Sequence, residues 1–214
     1  DKMQIYDIMP SVKNLIPYDY EKIRSVEYDN VINEILQKLK SLKQQTFVQV
    51  SGCPGAGKTT FCHNNFANNF LSFDSIMERL PSYQNDLKKY GGKEAFSRWE
   101  IVARIIGYEV LRRAVEQNFG IVLEHSGVNP AHLELFENIK KRGYNTKSCF
   151  VVCDLPMAQK RAVEREKITH RHTPEAMIKE RFAKINSYIP QYKKVADEVD
   201  VYDTTSGNPL SVKI

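Results

Sequence analysis

Residues 52–59 read Gly-Cys-Pro-Gly-Ala-Gly-Lys-Thr, which matches the phosphate-cradling pattern G-x-x-x-x-G-K-[ST] at every fixed position. The glycines let the backbone curl so that successive N–H groups point inward at a phosphate. Lys58 then reaches the β- and γ-phosphates of a nucleotide, and the Thr59 hydroxyl ligands Mg²⁺. The nucleotide-binding set is Gly52, Cys53, Pro54, Gly55, Ala56, Gly57, Lys58, Thr59 and Thr60. Phe47, Val48 and Val50 form a β-rich run before the loop, and a helical stretch follows it, so the phosphate sits on a helix N-terminus.

Phosphoryl transfer to an alcohol needs a carboxylate near the γ-phosphate that takes up the hydroxyl proton. Asp74, at the end of a short apolar run, is the best-placed candidate, although it also suits the cap of the helix that follows. Glu124-His125-Ser126-Gly127 leaves an apolar strand abruptly. Glu124 there suits either Mg²⁺-bound water or substrate hydroxyls, with Ser126 beside it. Positive charge gathers in residues 160–184. Arg161 and Arg165 are four apart and share a helix face, and Arg171 lies in a loop before Thr173-Pro174. Guanidinium forks of this kind stabilise the charge spread over γ-phosphoryl oxygens. Surface pairing with Glu164 and Glu166 is the competing role for the helical pair.

These residues need elements to position them. Strands are expected over 46–51, 70–73, 120–124, 147–153 and 198–203. Helices are expected over 19–45, 58–68, 95–118, 130–142, 156–167 and 174–189, with Asp19 as the first N-cap. Residues 1–18, with Pro10 and Pro17, and the polar stretch Pro81 to Gly92 read as loops. The continuous apolar strand Ile121-Val122-Leu123 suits a parallel sheet covered on both sides. The fold class is α/β: a doubly wound parallel sheet of about five strands with helices on both faces, the P-loop NTPase architecture. Residues 1–45 form an N-terminal extension and helix packed on the core, and residues 46–214 form the nucleotide-handling domain.

Composition sets limits. Hydrophobic residues make up 42% of the 214 and charged residues 27%, ordinary values for a globular chain with one full core. No apolar run is long enough to span a bilayer, and Asp1-Lys2-Met3-Gln4 has no signal-peptide character. Cys53, Cys62, Cys149 and Cys153 make no C-x-x-C pair, which fits a reducing cytoplasm. A net charge of +5 does not by itself establish nucleic-acid binding.

The order of these features resembles the zeta-toxin family of P-loop kinases. It consists of the Gly-Lys-Thr loop, an Asp followed by Leu80-Pro81-Ser82-Tyr83, a long helix, Ile-Val-Leu-Glu-His-Ser-Gly, an arginine pair, and an Arg before Thr-Pro, over roughly residues 46–205. The resemblance implies that Asp74 is the base and that Glu124 and Ser126 hold substrate. It also implies that Arg171 and either Arg161 or Arg165 close over the phosphates. Ser126 and His125 stand where the family has Thr and Gly. What it implies in function is ATP- or GTP-dependent phosphorylation of the 3′-hydroxyl of a UDP-linked N-acetyl amino sugar, with an antitoxin protein as a possible partner. The loop and Asn129-Pro130 are also similar to polynucleotide 5′-kinases. Those enzymes place an Arg three residues after the base, where this chain has Met77. A nucleotide-dependent switch is the reading from another class, and it lacks a convincing set of γ-phosphate-sensing residues.

Overall fold

The computed structural model describes residues 2–207 and 210–212. Asp1 and residues 208–209 and 213–214 of the two expected ranges lie outside the described residues. Five parallel strands, β1 (Thr46–Ser51), β2 (Leu71–Ser72), β3 (Ile121–Glu124), β4 (Asn145–Val152) and β5 (Glu198–Asp203), form one sheet. A sixth strand, β6 (Leu210–Val212), which the sequence pattern did not reveal, runs antiparallel to β5. The order is β2-β3-β1-β4-β5-β6. From β1 the chain moves to one side of the sheet and from β4 to the other, so a crevice opens at the strands' carboxyl ends.

Strand periodicity of two fills both faces. Val50, Val122, Cys149 and Val151 pack with Phe61 and Cys62 of α4 (Lys58–Phe66) on one side. Phe47, Ile121, Leu123 and Phe150 point the other way into the main core. That core is closed by α7 (Gly92–Glu116), α8 (Pro130–Lys141) and α10 (Glu175–Val195). α5 (Phe73–Arg79) and α9 (Leu155–Thr169) flank the carboxyl-end crevice.

Three stretches differ from expectation. Residues 1–18 are not loop: α1 (Ile5–Ile8) and a 3₁₀ turn (Pro10–Asn14) bury Met3, Ile5, Ile8, Met9, Val12 and Ile16. Pro10 opens the turn, where a missing N–H costs nothing. The helix expected over 19–45 is two, α2 (Tyr20–Ile23) and α3 (Val26–Leu39). Asp19 makes no side-chain cap, whereas Ser25 accepts from the Tyr28 N–H and restarts the helix. Pro81 to Gly92 contains α6 (Pro81–Tyr90). Its polarity hid it because the helix packs only one face, where Tyr83 is buried and Asp86 accepts 2.8 Å from Trp99 Nε1.

A buried charge cluster pins the N-terminal segment. Arg112 donates to Glu109 Oε1 (2.6 Å) and to the Met3 carbonyl (3.2 Å), and Tyr18 donates to the other Glu109 oxygen.

Candidate active site

The phosphate loop leaves β1 and turns into α4, as the motif requires. Gly55 has φ +85°, and a Cβ there would lie 2.1 Å from the Ala158 carbonyl oxygen, so no other residue fits against α9. Lys58 Nζ donates 2.6 Å to the Gly52 carbonyl. Burial works against the Lys58 charge and Glu124 partly restores it. Cys53 and Ala56 turn their side chains away into a cluster with Cys153, Ala158 and Ala162, so they offer only backbone to a phosphate. Pro54, Gly55, Gly57, Lys58, Thr59 and Thr60 line the crevice, a cleft of about 520 Å³.

Thr59 Oγ1 donates 2.7 Å to Glu124 Oε1, joining the loop to the end of β3. Glu124 is buried, and its Oε2 has no partner. A buried carboxylate oxygen next to the Thr59 hydroxyl fits the coordination water of a Mg²⁺ bound by Thr59 and nucleotide phosphates. Among the described residues, no cluster of three His, Cys, Asp or Glu side chains stands ready to hold a metal without such help. Ser126, two residues on, is buried in the cleft wall.

The turn carrying Ser126 is braced from behind. Gln49 Oε1 accepts from His132 Nδ1 at 2.6 Å, Tyr108 bonds His132 Nε2 at 2.9 Å, and Tyr192 donates to the Gly127 carbonyl. His125 stacks on His132 at 3.8 Å and accepts 2.9 Å from the Gly127 N–H through Nδ1. Burial, then His132 and nearby cations, hold His125 far below the ordinary imidazole range, so it is neutral.

Asp74 sits in the first turn of α5, but Ser72 is the cap, accepting from the Ser75 N–H. Its carboxylate faces the cleft. Burial opposes its ionisation, and Arg171, Arg165, Lys58 and Arg181 outweigh this and hold it below the usual carboxylate range.

The arginines arrive from α9 and the loop after it. Arg171 Nη1 lies 3.0 Å from Glu78 Oε1 and 3.9 Å from Asp74 Oδ2. Burial works against its charge, and Asp74 and Glu78 outweigh that. Arg165 donates 2.9 Å to Thr173 Oγ1. The Nε atoms of Arg165 and Arg171 are buried without partners. Arg161 is different: it donates to the Thr204 carbonyl (2.6 Å) and hydroxyl (3.0 Å), and that hydroxyl donates 2.6 Å to the Ala56 carbonyl. Arg161 therefore braces the loop while still lining the cleft. Gly92, at the start of α7, lets the arginine loop approach, since a Cβ there would lie 2.1 Å from the His170 carbonyl oxygen.

The cleft thus gathers Lys58, Thr59, Asp74, Glu124, Ser126, Arg161, Arg165 and Arg171 from scattered chain positions. Sequence reasoning passed over Glu78, Glu100, Arg104 and Arg181, which also line it. Arg181 was visible only as one of many basic residues, and Arg104 shares a helix with an apolar stripe that drew attention instead.

Comparison with known proteins agrees with this arrangement. The fold is similar to a chain in the structure of the PezAT chromosomal toxin–antitoxin system of Streptococcus pneumoniae, with TM-score 0.67 and 15% identity over 87% of this chain and 80% of that one. It is also similar to the native AvrRxo1-ORF1:ORF2 complex, with TM-score 0.69 and 14% identity over 95% of this chain and 67% of that one. The AvrRxo1-ORF1:ORF2 structure with ATP gives TM-score 0.67 and 12% identity over 88% and 67% of the two chains. At these identities the likeness is one of fold. No curated protein matches the sequence. The family model described as zeta toxin matches residues 30–210, most of the chain and all of the cleft. The chain belongs to the zeta toxin family of P-loop phosphotransferases.

Proposed function

We propose that the protein transfers the γ-phosphoryl group of ATP, or of GTP, to a hydroxyl of a UDP-linked N-acetyl amino sugar. The observation that carries this reading is the convergence of Asp74 and Glu124, from two strand ends, on one cleft with Lys58 and the arginines. A volume of about 520 Å³ falls in the ordinary small-molecule range of about 300–1,000 Å³. The ATP complex among the similar structures supports ATP as donor.

The loop amides and Lys58 hold the β- and γ-phosphates at the N-terminus of α4. Thr59 would hold Mg²⁺ and Glu124 its water, and the ion when bound would supply positive charge against the phosphates. Glu124 and Ser126 orient the acceptor. Asp74 accepts the proton as the hydroxyl oxygen bonds to the γ-phosphorus. The bond from that phosphorus to the β–γ bridging oxygen breaks, and ADP leaves. Arg171 and Arg165 meet the charge on the equatorial oxygens. Arg165, free of Thr204, is the first of these arginines, and Arg161 shapes the loop. In this reading, residues 46–214 are the catalytic unit and residues 1–45 brace it.

Partners and location follow the same reading. The toxin–antitoxin context of the PezAT structure supports an antitoxin protein as a partner. The four cysteines are buried free thiols, which supports a reducing cytoplasm. Among the described residues no helix is long and apolar enough to cross a membrane.

The test is a panel of acceptors with ATP labelled at the γ-phosphate. Label should pass to a UDP-linked N-acetyl amino sugar and not to 5′-hydroxyl oligonucleotides, and a folded Lys58→Ala protein should transfer none. Transfer to the oligonucleotide alone would replace this reading with a polynucleotide kinase.

A further inference from the structure

α5 puts two carboxylates on one face. Asp74 and Glu78 are four residues apart in the same helix, so their side chains stand one above the other. The helix is anchored beneath them. Ile76 and Met77 are buried, and Gln84 Nε2 of α6 donates 2.7 Å to the Glu78 carbonyl. Two like charges at this spacing repel, and a cation placed between them relieves the repulsion.

Arg171 is that cation, and its hold on the two carboxylates is unequal. Nη1 lies 3.0 Å from Glu78 Oε1, within hydrogen-bond distance, and 3.9 Å from Asp74 Oδ2, beyond it. The Nε atom is buried without a partner. The guanidinium is therefore fixed at one end and open at the other. Its backbone gives it little order, since residues 170–174 join α9 to α10 without regular structure. The Arg171 N–H makes only a long 3.3 Å bond to Thr169 Oγ1. The order comes from α5, through Glu78. Burial works most against the Glu78 charge, Arg171 supports it, and Asp74 opposes it.

The inequality matters for Asp74. A carboxylate bonded tightly to a guanidinium is a weak base, because the charged form is the one stabilised. Glu78 occupies the near end of Arg171 and leaves Asp74 the longer contact, with 54% of the Asp74 side chain exposed. With no charge at position 78, Asp74 is the nearest anion left for the arginine to close on.

We propose that Glu78 is a positioning residue: it holds Arg171 from α5, toward the transferring phosphoryl group and off Asp74. The proposal rests on the roles given to Asp74 and Arg171 under Proposed function, and adds the residue that sets the distance between them. No bond of the reaction forms or breaks at Glu78.

The experiment uses the whole protein with Mg²⁺ and two readouts that need no sugar. One is ATP hydrolysis, in which water replaces the acceptor hydroxyl. The other is the calorimetric affinity for ADP, alone and with aluminium fluoride as a mimic of the transferring phosphoryl group. Glu78→Gln keeps the shape and removes the charge. It should lower kcat by about tenfold or more, the scale of one charged contact, with the KM for ATP hardly changed. The gain in ADP affinity on adding fluoride should shrink by a similar factor, and ADP alone should bind as before. Glu78→Asp should recover part of both losses. In an Arg171→Ala protein, Glu78→Gln should cost nothing further, because its effect passes through Arg171. Losses that add in the double variant give Glu78 a contact of its own and overturn the proposal. So does an unchanged kcat, a rise in KM alone, or a loss of thermal stability that accounts for the lost activity. If the unsubstituted protein neither hydrolyses ATP nor gains affinity from fluoride, the phosphoryl-transfer reading itself falls and takes the role of Glu78 with it. If it does both and Glu78→Gln alters neither, the role of Glu78 alone falls.

Discussion

The Thr59 hydroxyl donates a 2.7 Å hydrogen bond to Glu124, two residues separated by 65 positions in the chain. In the proposed reaction the bond ties the donor half of the cleft to the acceptor half. Glu124→Gln should therefore disturb both. Its amide cannot serve as a two-sided acceptor for Thr59 and a metal-bound water. Transfer to the sugar and basal ATP hydrolysis should fall together, by about tenfold or more, the scale of one charged contact. Parallel assays of the two activities check this. Loss of transfer alone would confine Glu124 to acceptor binding.

Asp74 is held below the ordinary carboxylate range by Arg171, Arg165, Lys58 and Arg181, against the effect of burial. A depressed carboxyl stays ionised until the pH falls through its lowered value, so Asp74 should place no acid limb on kcat between pH 6 and 8. Arg171→Ala removes the strongest of these cations and leaves Glu78 beside Asp74. The acid limb should then move to higher pH. Asp74→Asn should cut kcat by about 10²-fold or more and barely change ATP affinity. The pH profiles of kcat for the unsubstituted protein and the arginine variant provide the measurement.

Gly92→Ala should act at a distance. The new methyl would lie 2.1 Å from the His170 carbonyl oxygen, which is backbone and must move. Arg171 follows directly. Transfer should fall by more than tenfold, since misplacement by about 1 Å can cost 10²-fold. Thermal stability should change little by comparison, because the clash lies at the rim and not in the core. A wild-type kcat would show that the loop shifts without carrying Arg171.

Glu109→Ala tests the brace formed by the N-terminal segment. The change removes the fully buried partner of Arg112, which keeps only the half-exposed Glu116 (2.5 Å) and the Met3 carbonyl. Breaking a buried pair outright costs about 3–5 kcal/mol, and the remaining Glu116 contact should keep the loss at or below the lower end of that range. Denaturant unfolding should show this loss, and residues 2–18 should become the most readily cleaved by protease.

Much of the cleft was legible because its chemistry is local in sequence. The loop motif carries its own geometry, and Glu124 ends an apolar run that is a buried strand; the run before Asp74 is a strand only over Leu71–Ser72, with Phe73 and Asp74 already in α5. What stayed hidden depends on tertiary neighbours. α6 is polar on every face but one, so its pattern reads as loop. Residues 1–18 hold prolines that mark turns in isolation, yet the same stretch buries six side chains against α7 and α8. Arg161 and Arg165 look equivalent on a helical wheel. Only the position of Thr204, far along the chain, gives Arg161 a different partner. β6 is three residues long and pairs with one neighbour, too short for a periodic signal.

The Thr204 hydroxyl bridges the Ala56 carbonyl and the Arg161 guanidinium, so the shape of the phosphate loop depends on a residue 148 positions later. β1 likewise finds its neighbours only when β3 and β4 exist. The cradle thus takes its braced shape only after contacts far apart in the chain have closed, and long-range contacts close slowly. A ribosome-bound chain ending before Thr204 carries the whole motif without its brace. The braced cradle therefore waits until the chain has been made past Thr204.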